Sequence, residues 1–150
     1  MSDGSSPATV RTTSVEETEA LAAALVAELG AGAVVLLHGE MGAGKTSFVR
    51  GACRALGVTD PVTSPTFTLA RRYVGDRDGE PIAVSHLDLH RLGSLAGEDP
   101  GLLADYLTGD EIAFVEWPEV AEAELGPIAA RVRLAHAGGD ARDVTVEVVR

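Results

Sequence analysis

The sequence predicts an α/β domain, a three-layer sandwich around a mainly parallel central sheet with antiparallel additions and a C-terminal β-hairpin. Three observations carry that reading. A short apolar run, Ala33-Val34-Val35-Leu36-Leu37, passes through a glycine-rich loop into a segment of helical periodicity, the opening of a βα unit. Two later apolar runs, residues 82–87 and 112–115, end on the acids Asp88 and Glu116, as buried strands do when they reach a polar sheet edge. The C-terminal segment alternates apolar and polar residues on both sides of Gly138-Gly139-Asp140, the pattern of a closing hairpin.

The glycine-rich loop carries the chemistry. Residues 39–46 read GEMGAGKT and fit G-x-x-x-x-G-K-[ST] at every fixed position, with Ser47 following. Downstream, Val49, Ala52, Cys53 and Leu56 recur at helical spacing, and Gly57 is placed to close the helix. Strand, loop and helix in that order aim successive backbone N–H groups and the positive end of a helix dipole at one anion. Glycine at positions 39, 42 and 44 permits the backbone angles and close approach that a Cβ blocks. The expected nucleotide-binding set is therefore Gly39, Glu40, Met41, Gly42, Ala43, Gly44, Lys45, Thr46 and Ser47. Lys45 is suited to the β- and γ-phosphate oxygens and the Thr46 hydroxyl to Mg²⁺. A turn that merely joins strand to helix needs no Lys-Thr pair in register. The reading is a P-loop NTPase-like domain that takes ATP or ADP with Mg²⁺.

Composition sets the outer bounds. A chain of 150 residues with 45% hydrophobic content fills one core, so residues 14–150 read as a single domain behind a flexible N-terminal stretch, residues 1–13. A net charge of −11 opposes a surface built to follow nucleic-acid phosphates and favours protein partners or small ligands. The single cysteine, Cys53, lies on the apolar side of the expected helix and reads as a core residue. No apolar run reaches membrane-spanning length and no signal pattern opens the chain, so the expected location is the cytoplasm.

In chain order, Ser14 with Glu17 three residues on has capping-box spacing, Leu21, Leu25 and Leu29 form the buried stripe of a helix, and Gly30 closes it. Thr13 and Ser14 lie where a nucleotide base often sits, although a plain helix cap accounts for Ser14. After the loop helix, Pro61 and Pro65 keep the polar stretch between Asp60 and Pro65 extended. Phe67, Leu69 and Tyr73 continue as a strand, residues 76–79 turn, and residues 81–87 return as the second arm of a hairpin. Leu102, Leu103, Tyr106 and Leu107 predict a small helix between Arg91 and Asp110. Trp117 follows Glu116 directly, placed either to pack on the sheet edge or to meet the nucleotide.

Asp88 and Glu116 are both candidates for the metal-side carboxylate, since an acid at the C-terminal edge of a strand can ligate Mg²⁺ or orient the attacking water. Ser64 and Thr66 stand in a polar, proline-stiffened loop of the kind that senses a γ-phosphate in many such NTPases.

Taken in succession, the phosphate loop, TSPTFTL at residues 63–69, HLDLHRL at residues 86–92 and VEWPE at residues 115–119 resemble the motifs of the TsaE family. That family is the small bacterial ATPase of tRNA threonylcarbamoyladenosine (t6A) biosynthesis. The resemblance covers nearly the whole chain from about Ser14. It implies that Thr46 and Glu116 hold Mg²⁺, that residues 64–66 form a switch-like loop, and that Asp88 acts as a catalytic or switch-coupling acid. Asp88, Lys45 and Thr66 are then the expected catalytic set, with Trp117 beside the nucleotide. His90 departs from the family's usual tyrosine in H-x-D-L-Y-R. The resemblance further implies two protein partners, the t6A transferase subunit and its paralogous partner, with tRNA met only indirectly and no membrane.

Two other classes fit the phosphate loop. A small-molecule kinase would use Asp88 as substrate-activating base, but residues 93–109 contain no arginine for the lid such kinases need. A nucleotide-sensing interaction module would bind without useful hydrolysis. The partner-dependent ATPase ranks first.

Overall fold

The computed structural model describes residues 8–40, 42–62, 70–89, 107–120 and 125–149. Its elements are β1 (Ala8–Thr12), α1 (Val15–Val26), β2 (Val34–His38), α2 (Lys45–Ala55), β3 (Ala70–Arg77), β4 (Glu80–Asp88), β5 (Glu111–Glu116), β6 (Ala130–His136) and β7 (Arg142–Val148). They form one seven-stranded sheet in the order β1-β7-β6-β2-β5-β4-β3. β2 runs parallel to both neighbours, β5 and β6, and β4 runs parallel to β5. β3 is added antiparallel at one edge, and β7 with β1 at the other. The α/β class with a parallel centre and antiparallel additions is thus what the chain adopts.

The strand alternation splits the core in two. Val35 and Leu37 of β2, Ile112 and Phe114 of β5 and Val132 and Leu134 of β6 face α1 and α2, meeting Leu25, Val26, Phe48, Val49, Ala52 and Cys53. Val34, Leu36, Ala113 and Val115 point the other way, toward Leu87, Leu89 and Leu125. Both α-helices of the described residues therefore cover one face of the sheet. Burial in that face pushes the Cys53 thiol up to about 12, which keeps it protonated and inert.

Helix ends follow the expected capping chemistry, with one correction. Ser14 Oγ accepts from the Glu17 N–H at 3.1 Å, and the Glu17 carboxylate returns to the Thr13 N–H, which holds it below its ordinary value. Gly57, with φ of 80°, closes α2 in a Schellman arrangement: Gly57 N–H donates to Arg54 O and Val58 N–H to Cys53 O. Gly30, expected to close α1, does not, because the helix ends at Val26 and Arg77 caps it by donating to the carbonyls of Val26 and Leu29. Leu21 is only partly buried, and Thr18, Ala22, Leu25 and Val26 supply the packed face instead. The close approach at Gly51 sets that rotation, since a Cβ there would stand 2.4 Å from the Glu19 carbonyl oxygen of α1.

A second correction concerns the N-terminus. Residues 1–13 read as flexible, yet Ala8–Thr12 is a strand, registered on β7 from Ala8 opposite Val146 to Thr12 opposite Arg142. Arg11 and Asp143 add an ion pair across that register at 2.8 Å. Met41, Ser64, Thr66, Phe67, Leu69, His90, Arg91 and the expected helix at Leu102, Leu103 and Tyr106 lie outside the described residues. Among the described residues no helix is long and apolar enough to cross a membrane.

Candidate functional site

The loop after β2 opens beyond the C-terminal ends of three parallel strands. Leu37 stands opposite Glu116, and Glu116 opposite Asp88, so both acids share one row with the start of the loop. Parallel neighbours are about 4.8 Å apart, which brings the two carboxylates onto one short rim. Alternation places His86 and Asp88 of β4 and Glu116 of β5 on the helix-bearing face, the face from which α2 begins. Ligands in open α/β sheets bind outside this edge.

Gly39, Gly42 and Gly44 have φ of 156°, 78° and 103°. At Gly39 the need is also spatial, because a Cβ would lie 2.7 Å from the Leu134 carbonyl oxygen of β6. Glu40 accepts from the Ala43 N–H at 3.1 Å, which tightens the loop, and its side chain is exposed. Gly44 is the N-cap of α2 and offers no side-chain acceptor. Among the described residues, the first-turn N–H groups of Lys45, Thr46 and Ser47 therefore have neither an intrahelical partner nor a cap from the N-cap side chain, and the helix dipole adds to their pull on an anion. Thr46 and Ser47 are half-buried at this end.

Lys45 folds back over the loop. Its Nζ donates to the Gly39 carbonyl and lies 4.2 Å from the centroid of the Trp117 ring. Burial pushes the ammonium below its ordinary value, while the charges of Glu116, Asp88 and Glu119 pull it back up. Trp117 holds φ of 57°, a left-handed backbone uncommon for a bulky residue, directly after Glu116. The chain thus turns sharply at the strand end, and the ring comes under Lys45 rather than packing only on the sheet edge.

Glu116 is almost fully buried, 4% exposed, and its Oε2 accepts from His86 Nε2 at 2.5 Å. His86 is itself fully buried, and its Nδ1 has no hydrogen-bond partner among the described residues. Two residues escaped assignment from sequence. His86 precedes Asp88 by two positions, so strand periodicity alone puts it on the same face. Arg142 donates to the Gly42 and Ala43 carbonyls at 3.1 Å from the far end of the chain, and no local pattern signals that.

A buried and a half-buried carboxylate beside an uncapped helix start and a buried lysine can hold a phosphate chain and a hard divalent cation together. Thr46 supplies a hydroxyl and Glu116 and Asp88 supply oxygens, the donor type Mg²⁺ takes. Arg72 does not join them, since it pairs with Glu111 at 2.7 Å on the opposite face of the sheet.

The family model "Threonylcarbamoyl adenosine biosynthesis protein TsaE" matches residues 12–144. The chain is 37% identical over 139 residues to the tRNA threonylcarbamoyladenosine biosynthesis protein TsaE of Bacillus subtilis, covering 93% of this chain and 84% of that one. The protein of the same name from Streptomyces coelicolor is 42% identical over 115 residues, 77% of this chain and 76% of its own. Among solved structures, the crystal structure of Bacillus subtilis YdiB superposes with a TM-score of 0.77 at 31% identity, over 97% of this chain and 87% of the other. The chain belongs to the TsaE family.

Proposed function

We propose that this protein is the ATP-binding, Mg²⁺-dependent ATP-hydrolysing subunit needed for threonylcarbamoylation of adenosine 37 in tRNA. In this reading it acts on the t6A transferase subunit and its paralogous partner, meets tRNA only through them, and works in the cytoplasm. The observation that carries it is the single rim that holds the uncapped start of α2, the buried Lys45 and the acids Asp88 and Glu116. Family membership then supplies the process.

The assigned roles follow from the chemistry of each group. Residues 39–47, Met41 included, wrap the phosphates with backbone N–H groups, and Lys45 bridges the β- and γ-phosphate oxygens. Thr46 and Glu116 hold Mg²⁺, which neutralises the phosphate charge that the rim acids would otherwise repel. Asp88 orients the attacking water or couples hydrolysis to the loop of Ser64 and Thr66, and Thr66 assists there. Trp117 covers the site at the γ-phosphate side, where it already meets Lys45.

Two measurements on one variant test the reading. Lys45→Ala removes the fixed cation facing the β- and γ-phosphates, and calorimetric titration with Mg·ATP should show most of the affinity lost in a folded protein. In cells whose own TsaE is depleted, the same variant should fail to restore t6A, read by mass spectrometry of tRNA nucleosides. Unchanged ATP affinity would remove the phosphate-loop assignment, and t6A at the wild-type level would remove the function.

A further inference from the structure

We infer that Arg142, at the start of β7, is a positioning residue that sets the phosphate loop in its anion-binding form. The inference rests on the nucleotide-binding reading above and adds a residue from outside the loop, the metal rim and their motifs.

The guanidinium is committed to two structures at once. Nε donates to the Ala43 carbonyl and Nη2 to the Gly42 carbonyl, each at 3.1 Å. Nη1 donates to the carbonyls of Gly139 and Ala141, each at 2.8 Å. The second pair belongs to the β6–β7 turn, which is closed by Ala137 N–H on Ala141 O and Ala141 N–H on Gly138 O. Positive φ at Gly138 and Gly139, 101° and 56°, shapes that turn. The fork is thus anchored in the hairpin and presents its remaining donors to the loop. Only a planar guanidinium has donors in that arrangement.

Peptide planarity converts this grip into an orientation. Across a trans peptide the C=O of one residue and the N–H of the next point in opposite directions. Drawing the Gly42 and Ala43 carbonyls toward Arg142 therefore turns the N–H groups of Ala43 and Gly44 away from it. The Ala43 N–H accordingly meets Glu40 O on the inner side. Gly44 has the freedom to flip, with φ of 103°, and a Cβ built there would stand 3.7 Å from Arg142 Nε, so the guanidinium lies directly behind it. Without the fork, a loop this rich in glycine samples other peptide orientations, and nucleotide binding must then order it.

The test is calorimetric titration with Mg·ADP of Arg142→Ala, Arg142→Lys, Arg11→Ala and Lys45→Ala, alongside melting curves and amide exchange. Arg142→Ala and Arg142→Lys should each weaken ADP binding by at least about tenfold, the scale of one lost hydrogen bond to a charged group. The lysine variant keeps the charge and should still fail to rescue. Exchange at the Ala43 and Gly44 amides should quicken in both while the β6–β7 amides stay as they are. Arg11→Ala disturbs the same hairpin through Asp143 without touching the loop, and its ADP affinity should stay at the wild-type value. Should Arg142→Ala not fold, Arg142→Lys decides alone. Wild-type ADP affinity in Arg142→Lys, with affinity lost in Lys45→Ala, overturns this inference and leaves the nucleotide reading standing. Wild-type affinity in Lys45→Ala instead removes that reading, and this inference with it.

Discussion

Lys45 carries its charge where burial opposes it, and the carboxylates of Glu116, Asp88 and Glu119 offset that burial. An incoming triphosphate meets the same acids, which repel it unless a cation stands between. That opposition separates the two rim acids. Glu116 is buried and held by His86, as an oriented metal ligand is held by its outer partner, whereas Asp88 is half-buried at the strand end. Glu116→Ala should therefore weaken Mg²⁺-dependent nucleotide binding as well as turnover. Asp88→Asn should keep ATP and lose hydrolysis by at least about 10²-fold, the low end of what a positioned acid–base group contributes. Mn²⁺ spin-probe titrations of both variants in the presence of nucleotide decide it. Metal affinity unchanged in Glu116→Ala but lowered in Asp88→Asn would exchange the two roles.

At the scale of elements, the contact between α1 and α2 fixes where the loop helix starts, because α2 begins at Lys45 and meets α1 at Gly51. In an exposed helix, Gly→Ala gains about 1 kcal/mol of propensity. At Gly51 the new methyl would stand 2.4 Å from Glu19 O and 2.5 Å from Glu19 Cα, both backbone atoms that cannot swing aside. Overpacking costs about 1–3 kcal/mol, so the clash should win, and Gly51→Ala should lower urea-unfolding stability by about 1 kcal/mol net of the propensity gain. Stability equal to wild type or higher would show that the helices can separate without cost. The sequence reveals β2, the loop and α2 well because local signals agree there: an apolar run, obligatory glycines and helical spacing that ends at Gly57. Asp78-Gly79, with φ of 54° and 88°, likewise marks the β3–β4 turn in two letters. β1 stays hidden because ATVRT is short and mostly exposed, and what holds it is pairing with β7 far along the chain. Arg142 stays hidden for the same reason, and the rotation of α1 is set by a glycine on another helix.

For the whole molecule, the question is whether the site is complete without a partner. Hydrolysis needs positive charge around the γ-phosphate, and an externally supplied group contributes about 10³-fold or more in related NTPases. Two of the arginines among the described residues are engaged or displaced. Arg142 spends its donors on carbonyls behind the loop, and Arg72 is tied to Glu111 on the other face. Among the described residues Arg71 is the internal candidate, exposed on β3 and registered opposite His86 on the site's own face, and Arg91, the other candidate, lies outside them. A net charge of −11 also suits docking on a basic protein surface better than contact with tRNA phosphates. We therefore expect the isolated protein to bind ATP and ADP but to turn ATP over at well below about 1 s⁻¹, under typical enzyme rates. The t6A transferase heterodimer should raise that rate, and nucleotide state should change the affinity for it. Steady-state phosphate release by wild type and Arg71→Ala, each with and without the heterodimer, measures both parts. A slow wild type that the heterodimer accelerates, with Arg71→Ala following it, places the missing charge in the partner. Fast turnover by the protein alone, lost in Arg71→Ala and indifferent to the heterodimer, would make the domain a self-sufficient enzyme and place the finger on β3.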